Sequence, residues 1–175
     1  SDTESNQSRM KEHFPPSDRL EYFLGNVRDE RRLVEAMRAD VDVVVHAAAM
    51  KEVPTCEYDW AEAAATNIDG SANVVRAALQ SLTVKRCLLI STDKAVEPVT
   101  PYGVTKAAAE QWFIRANRGY GKAHHTKFGV VRYGNVLGSR GSVLHRVQDH
   151  GPIPITDPEM TRFWWPMREA VHFVN

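Results

Sequence analysis

The sequence predicts an α/β protein in which a parallel β-sheet carries helices on both faces. Short β-branched or apolar runs alternate along the chain with helical patterns, the order of repeated βαβ units. Connections of that kind cross over with one hand, which makes the strands parallel. Small and polar residues crowd the position after each run, and open parallel sheets bind their ligands outside the carboxyl ends of the strands.

Each element has its own justification. Leu20–Leu24 is short, partly aromatic and followed by Gly25, which reads as a strand ending in a turn. Asp29–Arg38 places Leu33, Ala36 and Met37 on one side of a charged segment, a short amphipathic helix. Val41–Val45 is β-branched and nearly all apolar, the pattern of a strand buried on both faces. An Ala-rich helical pattern runs from about Tyr58 to Leu82, and Lys85–Ile90 is a second buried strand. Pro101 suits the first turn of a helix whose good helix formers continue to about Arg118, and Phe128–Tyr133 is a further strand. Gly151–Pro158 contains three prolines and predicts a loop with at most a small edge strand. Thr161–Trp165 follows, then a helix from about Met167.

The 175 residues are 43% hydrophobic, enough for a packed core and too many for a disordered chain. That length supports one domain, or one domain with a piece of another; the change of texture places them at 1–150 and 151–175. Lys and Arg total 22 against 22 Asp and Glu, which argues against nucleic acid or an anionic membrane as partner. No apolar run approaches the ~20 residues that span a bilayer. Cys56 and Cys87 lack C-x-x-C spacing, which predicts a reducing cytoplasm, and no side chains stand at metal-ligand spacing.

Four positions follow strands: Gly25–Arg28, His46–Ala49, Ser91–Lys94 and Gly134–Val136. Tyr102 and Lys106 are four apart, so both lie on one face of the helix that begins near Pro101. A lysine near the phenol would lower its pKa from ~10 toward that of a useful base. With the hydroxyl of Thr92, the set can take a proton from an alcohol while hydride leaves for a nicotinamide. Taken alone, the spacing is equally a solvated helix face; the Ser-Thr-Asp-Lys run after a strand is what favours catalysis.

Other residues carry two readings. His46 reads as a satisfied core or rim histidine, and His124–His125 as solvated surface. Trp164–Trp165 suits stacking on a uracil or core packing. Arg132, Arg140 and Arg162 suit pyrophosphate or surface salt bridges. Asn67 suits either fixing backbone near the catalytic helix or acting directly.

Ser91-Thr92-Asp93-Lys94-Ala95-Val96-Glu97-Pro98 followed by Tyr102-Gly103-Val104-Thr105-Lys106 resembles the extended short-chain dehydrogenase/reductase superfamily. Within it, the chain is most similar to the inverting UDP-N-acetylglucosamine 4,6-dehydratases of pseudaminic acid biosynthesis. His46–Pro54, Thr66–Gly70, Arg132–Val143 and Thr156–Trp164 resemble further segments of that family. The resemblance implies a Rossmann-type doubly wound sheet lacking its first strand and glycine-rich loop, plus part of a substrate-binding region. It thereby implies an internal segment of a chain nearly twice as long, inactive and unable to bind cofactor alone.

The resemblance also implies roles. Tyr102 and Lys106, with Thr92, would drive oxidation at C4 of the sugar. Lys94 would be the base at C5, and Asp93 the acid that protonates the departing C6 hydroxyl. Retaining relatives carry glutamate at the Lys94 position, and large membrane-bound relatives carry methionine at that of Tyr102. Val27, Ala47, Ala48, Ala49, Lys51 and Asn67 would contact the cofactor with Tyr102 and Lys106; Lys51, Asn135, Arg140, Thr161 and Arg162 would contact the substrate. The cofactor would be NADP or NAD, with Asp2 standing where an arginine for a 2′-phosphate is common; Asn26 and Trp165–Met167 also depart from the family pattern. The implied partner is a UDP-sugar, and the implied state a cytoplasmic homo-oligomer. A nucleotide-sugar 4-epimerase, which has no need of Lys94, and a non-catalytic binding module are the alternatives.

Overall fold

The computed structural model describes residues 4–38, 40–120, 124–139 and 157–174. Three strands position everything else: β1 (Val43–His46), β2 (Arg86–Thr92) and β3 (Lys127–Tyr133), all parallel and in that order across the sheet. Val43 faces Arg86 and His46 faces Leu89, while β2 and β3 pair from Arg86–Lys127 to Thr92–Tyr133. The chain enters through α1 (Glu4–His13) and α2 (Glu30–Met37), the latter capped by Asp29, whose side chain accepts from Arg32 N–H at 3.1 Å. From β1 to β2 it passes α3 (Val53–Tyr58), α4 (Trp60–Ala64), a π-helical turn at Ala65–Asp69 and α5 (Gly70–Gln80). From β2 to β3 it passes a 3-10 turn at Asp93–Ala95 and α6 (Pro101–Tyr120). The parallel pair β4 (Asn135–Val136) and β5 (Trp164–Trp165), then α7 (Met167–Val174), complete the described residues.

Successive crossovers of one hand that advance in one direction leave their helices on the same face. Accordingly Val74, Val75 and Ala78 of α5 and Ala109, Phe113 and Ala116 of α6 share one core with Cys87, Leu89 and Phe128 of the sheet. Phe113 meets the Phe128 ring edge-on at 6.0 Å and stacks on the His46 ring at 6.2 Å. Both cysteines are free and buried. No helix among the described residues is long and apolar enough to cross a membrane.

Four sequence expectations are corrected. Val43 and Val45 are 50% and 48% exposed rather than buried on both faces. Register turns them away from the face that α5 and α6 cover, and β1 pairs with β2 alone among the described strands. Leu20–Leu24 forms no strand: Leu20 makes one isolated bridge to Ser17, and Arg32 claims the segment by donating to the Leu24 carbonyl at 2.8 Å and covering the Phe23 ring. The pattern from Tyr58 to Leu82 is not one helix. Helix starts earlier, at Val53, breaks at Asp59 (φ −109°, ψ 58°), and widens into the π turn. His124 is no solvated side chain, since its ring bonds the Leu79 carbonyl at 2.9 Å and accepts from Thr126 N–H at 3.2 Å.

Two further elements have no counterpart in the sequence reading. The polar opening of the chain folds as α1, and a late strand forms at Trp164–Trp165. Gly134 draws it there: a Cβ at that position would lie 2.6 Å from the Phe163 carbonyl oxygen. Close approach lets Asn135 N–H reach Phe163 O at 2.8 Å and Leu137 N–H reach Trp165 O at 2.9 Å. Asp2, Arg140 and residues 151–156 of the proline-rich loop lie outside the described residues.

Candidate active site

The site forms where β2 ends. Thr92 caps the 3-10 turn, its hydroxyl oxygen accepting from Lys94 N–H at 3.3 Å, and donates its own proton to Asp93 Oδ1 at 3.0 Å. The Tyr102 phenol lies beside the Thr92 hydroxyl. Lys94 Nζ donates to Asp93 Oδ1 at 3.1 Å and to Asn135 Oδ1 at 3.0 Å. Thr92, Asp93, Lys94 and Asn135 thus make one continuous hydrogen-bonded chain across the ends of β2 and β3, with Tyr102 next to its Thr92 end.

Local sequence brings these groups together. Thr100 Oγ1 accepts from Gly103 N–H at 3.2 Å and so caps α6, with Pro101 pre-set for the first helical position. Gly103 has no Cβ, which is what lets that turn touch the Lys94 turn: a Cβ there would lie 2.2 Å from the Lys94 carbonyl oxygen. Between the turns, Glu97 takes the left-handed conformation at φ 43°.

Lys106 lies buried one helical turn past Tyr102, its ammonium donating to the Ile90 carbonyl at 2.8 Å. Burial pushes Lys106 down to about 8, against the opposing pull of the Glu110 carboxylate. Tyr102 is pushed up to about 12, chiefly by burial; the Thr92 hydrogen bond opposes this, and Tyr133, Cys56 and Asp93 add to it. This corrects the expectation that Lys106 pulls the phenol downward, because desolvation of the phenol dominates and the ammonium is spent on a backbone carbonyl.

The same face of α6 continues to Glu110, which sequence reasoning missed. Glu110 is 2% exposed and accepts hydrogen bonds from Ser91 Oγ, Arg132 Nε and Arg132 Nη2. Arg132 is therefore engaged in a forked ion pair. A second step of four residues, from Lys106 to Glu110, was the available signal.

Ala47 and Ala48 stand exposed immediately past the His46–Leu89 pair, with Ala49 half-buried behind them. Asn67, 1% exposed, accepts from Met50 N–H at 2.8 Å and donates to Met50 O and Thr105 Oγ1, both at 2.9 Å. Both amide hydrogens are committed, so Asn67 fixes the loop after β1, the structural one of its two readings. Val27 packs on Gly70, where a Cβ would lie 2.7 Å from Val27 Cγ2, and its carbonyl accepts from Asn73. His46 bonds Ser71 Oγ at 3.0 Å, and burial, then Lys106, lowers it to about 4. Lys51 is exposed on the loop after β1. Thr161 and Arg162 are exposed, bonded to each other at 2.7 Å, on the segment leading to Phe163. Asn135, expected on substrate, is the partner of Lys94.

The whole chain, residues 1–175, matches the family described as polysaccharide biosynthesis protein. The chain belongs to that family. This polysaccharide-biosynthesis chain is 50% identical over 160 residues to the UDP-N-acetylglucosamine 4,6-dehydratase (inverting) of Campylobacter jejuni, covering 89% of itself and 47% of that protein. It is 41% identical over 160 residues to the UDP-glucose 4-epimerase of Rickettsia bellii, covering 89% of itself and 46% of that enzyme. Among solved structures, Pen from Bacillus thuringiensis superposes with a TM-score of 0.89 at 37% identity, over 97% of this chain and 53% of Pen. A dTDP-glucose 4,6-dehydratase of Streptomyces venezuelae, solved with NAD bound, gives 0.81 over 98% of this chain and 57% of that one; at 22% identity this shows the fold. The chain spans about half the length of the curated relatives it matches.

That fold implies a nicotinamide dinucleotide, and the residues present fit one. Exposed alanines at the end of β1 leave a shallow floor, and Thr92, Tyr102 and Lys106 supply hydroxyl and ammonium groups from the neighbouring β2 and α6.

Proposed function

We propose that the protein carrying this sequence is a nucleotide-sugar 4,6-dehydratase that acts on UDP-N-acetylglucosamine with inversion at C5. The observation that carries the reading is the 3.1 Å contact between Lys94 and Asp93 within the hydrogen-bonded chain that runs from Thr92 to Asn135. A bound NAD(P) supplies the acceptor, and later the donor, of the hydride taken from C4. Lys106 and Ala47–Ala48 would hold it. Tyr102, once its phenolic proton has passed to solvent, would with Thr92 take the proton of the C4 hydroxyl as a phenolate, and the resulting ketone acidifies C5–H. One proton passing from Lys94 to Asp93 leaves a neutral amine facing C5 and a carboxylic acid for the C6 hydroxyl. Lys94 then removes the C5 proton while Asp93 protonates the leaving water. Hydride returned to C6, with a solvent-derived proton delivered to C5 from the opposite side, would complete the product and invert C5. Thr161 and Arg162, Lys51 and Arg140 would contact the nucleotide-sugar.

An epimerase needs only the C4 half of this set, and the Lys94–Asp93–Asn135 arrangement favours the dehydratase. The reading extends to glycan precursor synthesis on the route to pseudaminic acid, in the cytoplasm and as a homo-oligomer, on the resemblance of the motifs. The test is incubation of the full-length polypeptide with UDP-N-acetylglucosamine in deuterated water. A 4-keto-6-deoxy product with deuterium at an inverted C5 is expected. Retained configuration overturns the inverting assignment, and a C4 epimer without loss of water overturns the dehydratase.

A further inference from the structure

Three residues of α6 at four-residue steps engage three consecutive residues of β2. Tyr102 lies beside Thr92, Lys106 bonds the Ile90 carbonyl, and Glu110 bonds Ser91. The third rung extends to β3 through the forked Arg132 contact. Four-residue steps keep all three side chains on one helix face, so the rungs form one seam. Glu110 is the only carboxylate in that seam, and it is buried, where water screens its charge poorly.

We propose that Glu110 is a positioning residue for the catalytic pair: held by Ser91 and Arg132, it fixes the register of α6 on β2 and keeps the Lys106 ammonium charged beside Tyr102. The inference rests on the dehydratase reading for what the pair does, but the seam itself stands on geometry. A buried ammonium bonded to one backbone carbonyl is poorly compensated for the water it loses. A buried carboxylate one turn away supplies the missing opposite charge, in line with the direction in which Glu110 pulls Lys106. Arg132 neutralises that carboxylate only in part, because its guanidinium is half-exposed and shared with solvent. Other titratable or charged groups on the surrounding elements are His46 on β1, Arg86 and Cys87 on β2, Asp93 and Lys94 after it, Lys127, Arg132 and Tyr133 on β3, Cys56, Glu57 and Tyr58 on α3, and Tyr102 itself.

The test is a titration of the Lys106 side chain by NMR of isotope-labelled lysine in the full-length protein, wild type against Glu110→Gln and Glu110→Asp. Glu110→Gln keeps the shape and removes the charge, so the Lys106 midpoint should fall by about one pH unit. Glu110→Asp keeps the charge, so it should restore most of that shift. An unchanged midpoint in a folded Glu110→Gln variant overturns the proposal and leaves Glu110 a packing residue. Should that variant not fold, the wild type decides: Lys106 must carry its proton at pH 7, and a neutral amine there overturns the proposal. The titration needs no turnover, so an inactive wild type whose Lys106 responds to Glu110 overturns the dehydratase reading alone.

Discussion

Lys94 and Asn135 are joined by a 3.0 Å hydrogen bond from ammonium to side-chain oxygen, although 41 residues separate them in the chain. The Asn135 backbone is itself fixed, donating to the Phe163 carbonyl at 2.8 Å. The aromatic segment that ends the described chain thereby reaches the lysine through one asparagine. Asn135→Ala removes one of two anchors on Lys94. A lost hydrogen bond to a charged group is worth about 1.5 kcal/mol, so kcat of the full-length enzyme should fall about tenfold. Deuterium exchange at C5 should slow in parallel; unchanged exchange would separate Asn135 from the base.

Lys94 itself is the sharper test of the chemistry. Lys94→Ala should abolish elimination while leaving cofactor affinity within about twofold of wild type by calorimetry, since among the described residues the Lys94 ammonium bonds Asp93 and Asn135. Full turnover in that variant removes Lys94 from its role.

Gly103 sits where the first turn of α6 meets the Lys94 carbonyl, 2.2 Å from where a Cβ would be. The obstacle is backbone, which has no rotamer to yield. Gly103→Ala should destabilise the fold by about 1–3 kcal/mol and displace both Lys94 and Tyr102. Thermal unfolding measures the first effect. Loss of activity at temperatures where the variant is still folded measures the second.

Asn67 ties the loop after β1 to α6 through Met50 and Thr105. Asn67→Ala strands buried donors and acceptors with no water to replace the amide, and should cost about 3 kcal/mol by chemical denaturation. A cost below about 0.5 kcal/mol would show that the loop holds itself without Asn67.

His46 gives the fold a pH dependence with a definite sign. Its folded pKa of about 4 lies below the ordinary histidine value, so the unfolded chain binds the proton more readily. The contribution is fully present above pH ~6.5 and is lost as pH falls through about 4, on the order of 3 kcal/mol in all. Stability against urea should decline over that window. His46→Gln, which takes up no proton there, should flatten it; an equally steep decline in the variant assigns the effect elsewhere.

Much of this arrangement is legible before folding. The alternation of apolar runs with helical stretches gives the order of strands β1 to β3, because period and propensity are local properties. Tyr102 and Lys106 share a helix face by spacing, and the position of Thr92–Lys94 after a strand places them on the rim. Asp59 and the π turn were not legible, since nothing in an Ala-rich pattern marks where Asn67 will turn inward toward Met50 and Thr105. Nor was β5, whose partner lies across residues that carry no strand pattern of their own.

By itself, then, the sequence determined the alternating α/β order, put Tyr102 and Lys106 on one helix face and set Thr92, Asp93 and Lys94 after a strand, because these follow from short-range spacing. Tertiary structure decided what each group touches. It sent the Lys106 ammonium to Ile90, raised the Tyr102 phenol, gave Lys94 its Asn135 partner and left Val43 and Val45 open. Those outcomes depend on burial and on contacts between distant segments, and desolvation is a property of the packed neighbourhood that no local pattern encodes.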